Sequence, residues 1–209
     1  MTRKERAAMF YDILAELYPD ALCSLNYKNP LELLIATQLS AQCTDARVNI
    51  VTDSLFKKYP DVYAFSNASL DELEKDIHST GFYHNKAKNI ISCCKKLISD
   101  FNGEVPDNMD ALLSLDGVGR KTANLVLGDL FGKGGMVIDT HAKRILYRTG
   151  LTKEVLPEKI EKDTENLLSR DKHSDFCHRL VLHGRALCSA RSAKCDICPA
   201  SPICKKVGV

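Results

Sequence analysis

The chain has 209 residues, of which 44% are hydrophobic, so it can bury one large core or two smaller ones. The net charge of +2 excludes a strongly acidic or basic protein, and no apolar run is long enough to span a membrane. Nine cysteines are an odd number for a secreted disulfide framework, and the N-terminal residues lack the pattern of a signal peptide, so we expect a cytoplasmic protein with reduced thiols.

The predicted elements are all helices. Apolar residues recur at intervals of three and four in almost every segment, and no alternating strand pattern appears. Caps mark several boundaries: Asn29-Pro30 is typical of a helix start, and Gly150 is typical of a helix end. In chain order, the predicted helices include 31–39, one opened by Ser69 and ended by Gly81, 85–101, 109–115 capped by Asn108, 140–149 capped by Asp139, 157–169, and 175–188 with Ser174 as a candidate cap.

Charge is distributed unevenly along these elements. Residues 61–80 carry a local charge of −4, whereas residues 117–148 carry +4. Such polarity fits nucleic-acid binding on one face, although ordinary solvated helix faces also produce it.

A short turn between two helical patterns is the first motif that indicates a function. The turn is Asp116-Gly-Val-Gly119, and it is followed at once by Arg120-Lys121. Glycines allow positive φ and close approach, and the amides at the start of the next helix can bind a phosphate. Val118 is expected to point inward and pin the turn to its helices. The pattern predicts a helix-hairpin-helix that holds a nucleic-acid backbone without reading sequence; the alternative is a simple tight turn between packed helices.

Four cysteines near the end of the chain form the second motif. They are spaced C-x6-C-x2-C-x5-C, at Cys188, Cys195, Cys198 and Cys204. A four-cysteine zinc site more often has two C-x2-C pairs set further apart, whereas iron–sulfur clusters accept varied spacing, so the run favours an iron–sulfur cluster over zinc. Basic residues such as Arg191 and Lys194 lie within the run, which suggests a polyanionic partner.

These motifs carry a family resemblance. The hairpin with Lys121, the segment Val137-Ile-Asp-Thr-His141 and the cysteine run resemble, in order and separation, the endonuclease III family of DNA glycosylases and AP lyases, the iron–sulfur branch of the helix-hairpin-helix superfamily. Segments 39–45 and 81–89 extend the resemblance over nearly the whole chain.

The resemblance implies two all-α domains with a DNA-binding cleft between them. One would be a six-helix barrel, residues 23–133, containing the helix-hairpin-helix at about 108–131. The other would be discontinuous, residues 1–22 with 134–209, and would carry a [4Fe–4S] cluster on the four cysteines.

The resemblance also implies catalytic roles for Lys121 and Asp139. Glycosylases act on a nucleotide that has left the helical stack, and a neutral lysine amine can attack its sugar at C1′. A position in the first turn of a helix and burial in a closed complex both favour the neutral amine. The Schiff base that results favours β-elimination. Asp139 would stabilise positive charge on the sugar or assist proton transfer. The alternatives are a phosphate-binding surface lysine and a simple helix cap.

Several DNA contacts follow from position in the family pattern. Gln42 and Phe82 match the polar and apolar side chains that fill the gap left by an extruded nucleotide, with Phe82 standing where leucine is common; the alternative is that both are ordinary loop residues. Gly117, Val118, Gly119 and Arg120 would hold the backbone. Asp116 replaces a proline common in the family, and we expect an Asx bond from its side chain to a following amide.

The sequence therefore predicts a bifunctional DNA glycosylase and AP lyase of base excision repair. It would remove oxidised pyrimidines from duplex DNA and cleave the strand 3′ to the abasic site. We expect a monomer of bacterial or archaeal type, associated with the nucleoid, whose partner is double-stranded DNA containing damaged bases or abasic sites. Two alternatives stay open: a mismatch-specific glycosylase on the same scaffold, and a non-catalytic iron–sulfur module for DNA binding or redox sensing.

Overall fold

The computed structural model describes all 209 residues, and it contains α-helices and short 3-10 turns but no β-strand. The all-α prediction is confirmed. No helix is both long enough and apolar enough to cross a membrane. The helices are α1 (Arg3–Leu17), α2 (Pro30–Leu39), α3 (Asp45–Lys58), α4 (Val62–Ser66), α5 (Leu70–Ile77), α6 (Tyr83–Phe101), α7 (Met109–Leu113), α8 (Arg120–Phe131), α9 (Thr140–Thr149), α10 (Pro157–Thr164) and α11 (His173–Ala186).

Side-chain caps set several helix starts as the sequence predicts. Asn29 accepts a hydrogen bond from the Glu32 amide at the start of α2, and Asn108 accepts one from the Ala111 amide at the start of α7. Each cap satisfies an amide that has no partner inside the helix, which fixes where the helix begins. Ser69 precedes α5 as expected, although its side chain makes no capping bond.

The later boundaries differ from the prediction. Helix α10 ends at Thr164, five residues before the predicted Ser169, because the chain turns there while Leu167 still packs into the core. The buried side chain of Leu167 continues the apolar pattern beyond the end of the helix. Helix α11 begins at His173, directly after the 3-10 turn Arg170–Lys172, so Ser174 lies inside the helix and is not its cap.

The chain divides into two compact units, Cys23–Phe131 and Met1–Leu22 with Gly132–Val209. In the unit Cys23–Phe131, α4 and α5 pack against α6, and α2 packs against α8. Its core includes Leu34, Phe65 and Leu97, none of which is more than 1% exposed. This packing brings the C-terminal end of α2 next to the turn that leads into α8.

In the other unit, α11 packs against both α9 and α1. The rings of Phe10 on α1 and Phe176 on α11 meet edge to face, with centroids 6.0 Å apart. The cysteines follow α11 in an irregular segment, residues 188–204, which we call the cysteine loop. The six-helix barrel and the cluster domain stay predictions about domain architecture.

Candidate active site and metal centre

The hairpin turn requires glycine at its first glycine position. Gly117 has φ of +75°, and a Cβ there would lie 2.9 Å from Cβ of Asn89 and 3.2 Å from Oε1 of Gln38. Gln38, on α2, also donates a weak hydrogen bond of 3.5 Å to the Asp116 carbonyl. Val118 is buried, and its amide donates to the Leu115 carbonyl. The turn is therefore pressed against α2 and α6 on its inner side.

The outer side of the same turn is open. Gly119 does not have a positive φ, and a Cβ added there would meet nothing within 4 Å. Helix α8 begins at the next residue, and Arg120 and Lys121 are both exposed on its first turn. First-turn amides have no partner within the helix and attract anions. An anionic backbone can thus approach the turn closely with the Lys121 side chain nearby.

Asp116 has a different partner from the one expected. Its carboxylate accepts a hydrogen bond from the Ser92 hydroxyl on α6, not from an amide of the turn. The expected Asx bond is wrong because α6 passes close enough to supply a hydroxyl donor. Asp116 nonetheless stays exposed beside the open side of the hairpin.

Gln42 and Phe82 share an unusual backbone conformation. Their φ values are +54° and +50°, and the non-glycine residues with positive φ otherwise comprise only Asn102 and Lys206. Both side chains are exposed, and Phe82 exposes 63% of its surface. A left-handed backbone is uncommon outside glycine and persists where its surroundings impose it, often at functional loops.

Asp139 lies in the other unit, at the start of α9. One carboxylate oxygen accepts a hydrogen bond of 2.7 Å from the Ala142 amide, so the predicted cap is present. The residue is half-buried. Burial lowers the pKa of nearby His141, and Nδ1 of that histidine lies 3.2 Å from a guanidinium nitrogen of Arg144. His141 thus contacts Arg144 one turn along α9.

The four cysteines of the run lie together. They line one small cavity, of about 30 Å³, at Cys188, Cys195, Cys198 and Cys204. Burial raises the pKa of the Cys198 thiol, and the three other cysteines of the run raise it further. No Asp or Glu lines the cavity. No group of three His, Cys, Asp or Glu side chains is placed to hold a single metal ion. Four soft sulfur donors spread around a cavity fit a multi-iron cluster.

Two arginines of α9 donate hydrogen bonds to backbone carbonyls of the cysteine loop. The Arg148 guanidinium donates to the carbonyls of Ser189 and Ala190 at 2.7 and 2.9 Å, and it lies 3.5 Å from Sγ of Cys188. Arg144 donates to the Cys188 carbonyl at 2.8 and 3.0 Å. Both arginines belong to the basic stretch 117–148, whose charge favours nucleic acid, but their contacts are directed at the cysteine loop instead. Their spacing of four residues places them on one face of α9. That shared face is the sequence signal that could have distinguished them from basic residues that bind nucleic acid.

A buried histidine is a second feature that sequence reasoning missed. Nε2 of His183 lies 3.7 Å from Sγ of Cys198, and Nδ1 lies 3.4 Å from the Tyr18 hydroxyl. Burial lowers the pKa of His183 to about 4, so the ring is neutral at physiological pH. By contrast, Arg191 and Lys194 are exposed on the cysteine loop.

Comparison with known proteins decides the family. Residues 35–170 match the HhH-GPD superfamily of base excision DNA repair proteins. The chain is 48% identical to the endonuclease III of a Synechocystis species over 204 residues. This match covers 97% of this chain and 93% of the relative. The chain belongs to the endonuclease III family.

Solved structures of endonuclease III agree with this assignment. A non-covalent complex of endonuclease III with DNA has a TM-score of 0.92 and 42% identity, covering 99% of this chain and 97% of the other. A trapped covalent intermediate of endonuclease III with DNA, an estranged-adenine complex, matches with the same TM-score and identity. Membership of the endonuclease III family makes this chain a base excision repair enzyme.

Proposed function

We propose that this chain removes oxidised pyrimidines from duplex DNA and then cleaves the strand 3′ to the abasic site. As a member of the endonuclease III family it is a DNA glycosylase and AP lyase, and its partner is DNA. The preference for oxidised pyrimidines and the roles of single residues are our inference. One observation carries the catalytic assignment: Lys121 is exposed on the first turn of α8, directly after the open side of the hairpin at Gly119.

The reaction follows from an amine in that position. Nζ of Lys121 bonds to C1′ of the sugar while the glycosidic bond breaks, and the base leaves with the electron pair. Loss of a proton from nitrogen and opening of the sugar ring give a Schiff base. Removal of a proton from C2′ then expels the 3′ phosphate, which cleaves the strand. Only the neutral form of the amine can begin this sequence, because the nitrogen must supply the electron pair of the new bond.

Asp139 is proposed to act on the positive charge that develops on the sugar. One of its oxygens accepts a hydrogen bond from the Ala142 amide, which fixes the orientation of the carboxylate. The other oxygen is proposed to face the sugar. A fixed carboxylate stabilises a developing cation without reorganising during the reaction. The capping bond and the catalytic role are therefore compatible.

DNA is proposed to contact three sets of residues. The turn from Gly117 to Arg120 binds a phosphate, with Val118 anchoring it to the core. Arg191 and Lys194 add charge from the cysteine loop. Gln42 and Phe82 fill the gap left by the extruded nucleotide, which is supported by their exposure and by the left-handed backbone that both adopt.

The four cysteines are proposed to hold a [4Fe–4S] cluster. When bound, the cluster supplies a four-point covalent link between parts of the cysteine loop and takes no part in bond breaking. Sulfur atoms there already accept hydrogen bonds: the Lys206 amide lies 3.3 Å from Sγ of Cys204. Equal amounts of iron and sulfide in the purified protein would support the assignment, and zinc in their place would contradict it.

Borohydride trapping on duplex DNA that contains thymine glycol tests the function. We expect a covalent adduct with the unmodified chain and with Lys95→Gln, which alters an exposed lysine on α6, but none with Lys121→Gln. Cleavage without trapping would favour a different nucleophile. An absence of cleavage on any oxidised pyrimidine would favour the mismatch-specific or non-catalytic alternatives. We also propose that the protein acts as a monomer in the cytoplasm, at the nucleoid.

A further inference from the structure

A buried lysine on α6 has no role in the reaction described so far. Lys86 exposes only 6% of its surface, and its side chain has no carboxylate partner. Lysine is rarely buried without a paired acid, because removing an ammonium group from water is costly. Burial accordingly lowers the pKa of Lys86 below the usual range for lysine, although Cys43 nearby opposes this effect. A residue kept at such a cost invites the question of what its ammonium group holds.

The ammonium group of Lys86 holds two carbonyls from separate parts of the chain. Nζ donates to the carbonyl of Leu39 at 2.8 Å and to that of Thr80 at 2.9 Å. Leu39 is the last residue of α2, and Thr80 is the last residue of the short 3-10 helix His78–Thr80. Carbonyls at helix C-termini carry partial negative charge and have no partner inside the helix. One lysine therefore caps two helix ends.

Each of those helix ends leads directly to a proposed gap-filling residue. Gln42 follows Leu39 by three residues and Phe82 follows Thr80 by two. We call residues 40–44 and 81–82 the filler loops. Both Gln42 and Phe82 have a left-handed backbone, a conformation that persists only when the surrounding structure over-determines it. A common anchor under both loops provides that constraint.

We propose that Lys86 is a positioning residue that fixes the two filler loops relative to each other, so that Gln42 and Phe82 enter the DNA as one rigid pair. This inference rests on the proposed gap-filling role of those two side chains. Lys86 touches neither DNA nor the reacting atoms, and it acts through the two carbonyls.

The filler loop that contains Phe82 is also held by contacts that do not involve Lys86. The loss of Lys86 should therefore loosen the filler loops without unfolding the protein. His84 lies 2.6 Å from a carboxylate oxygen of Glu74, and the ring of Tyr83 packs on that of His78 with centroids 4.5 Å apart. These contacts hold the start of α6 against the end of α5. They do not reach the Leu39 carbonyl, whose link to the Phe82 loop is Lys86.

The test uses Lys86→Met, which keeps the length and apolar stem of the side chain but removes its donors. Lys95→Met is the matched control, because Lys95 is an exposed lysine on the same helix. Two reactions are compared. Base removal from duplex DNA requires both gap-filling side chains, Gln42 and Phe82. Strand cleavage at an abasic site in single-stranded DNA requires Lys121 but neither of those side chains, because no duplex gap has to be filled.

We expect Lys86→Met to lower kcat on duplex thymine glycol DNA by about 100-fold, the usual scale for a misplacement of about 1 Å, with a smaller change in KM. Cleavage of single-stranded abasic DNA should stay within about twofold of the unmodified chain if only filler placement is lost. Lys95→Met should resemble the unmodified chain in both assays.

A spectroscopic readout follows the fillers directly. With 2-aminopurine placed opposite the lesion, binding by Lys121→Gln should raise the fluorescence as the opposite base loses its stacking, and Lys121→Gln with Lys86→Met should give little or no rise at saturating protein.

The outcomes separate the two ideas. Unchanged duplex activity, or an undiminished fluorescence rise, would overturn the role of Lys86. A parallel loss of both reactions would assign Lys86 to general folding and also overturn it. If the unmodified chain gave no adduct and Lys121→Gln gave no fluorescence rise, the proposed function itself would fail, and the inference with it.

Discussion

Replacement of Arg148 by methionine tests how the cysteine loop is held. Arg148 is 9% exposed, and its guanidinium donates to two consecutive loop carbonyls, at Ser189 and Ala190. Methionine fills much of the same apolar volume but cannot donate. The substitution therefore isolates the hydrogen bonds from the packing of the side chain.

The expected magnitude follows from those bonds. A hydrogen bond to a charged group contributes about 1.5 kcal/mol or more, so the loss of two should destabilise the unit by about 3 kcal/mol. A loss of this size is a large part of the roughly 5–15 kcal/mol that stabilises a typical protein. With a urea dependence near 3 kcal/mol per M, the midpoint of unfolding should fall by about 1 M.

The assay follows helical ellipticity in urea, together with the iron retained by each variant. Arg191→Met is the matched control, because Arg191 is an exposed arginine of the same loop and its loss should change stability by no more than about 0.5 kcal/mol. Arg191→Met should instead weaken DNA binding and reduce its salt dependence by about one phosphate contact. A midpoint for Arg148→Met within experimental error of the unmodified chain would refute the reasoning, as would equal destabilisation by Arg191→Met.

Three further predictions concern the hairpin and the cluster. Gly117→Ala should lower stability by about 1–2 kcal/mol or more, because a left-handed backbone is costly for alanine and its Cβ would press against α6. Gly119→Ala should melt normally but bind DNA more weakly. Equal melting temperatures for the two variants would contradict this. Asp116→Pro should bind DNA more tightly at matched salt, since it removes a negative charge beside the phosphate, and equal or weaker binding in a titration would count against that idea. Cys198→Ala should lose iron, whereas Cys94→Ala, at a buried cysteine outside the run, should keep it; an iron assay that finds the reverse would exclude the proposed ligands.

Sequence reasoning succeeded where a structural feature depends on a few neighbouring residues. Asn29, Asn108 and Asp139 each cap a helix through an amide three residues along the chain, so the cap can be read locally. The end of α10 could not be read in this way. Leu167 is buried from a turn, and burial alone gives the same apolar pattern in a turn as in a helix.

The candidate site divides along the same line. The hairpin turn and the cysteine run are contiguous, so their spacing can be read from the sequence, where it indicates a phosphate-binding turn and a metal site. The contacts of Lys86 and Arg148 are not contiguous, since Lys86 reaches a carbonyl 47 residues away and Arg148 one 41 residues away. A sequence shows that such residues are basic but not that their charge is directed at carbonyls of the same chain.

Within the unit that carries the cysteines, positive charge serves two purposes that composition cannot distinguish. Arg144 and Arg148 are directed at the loop carbonyls, whereas Arg191 and Lys194 are exposed on the loop itself. The first pair shapes the loop that presents the second pair. Damage to the four cysteines should therefore reduce stability and DNA affinity before it changes the chemistry proposed at Lys121, whose helix start is built by the other unit. Single-turnover cleavage at saturating protein separates these effects, because it reports the chemical step after the loss of affinity has been overcome.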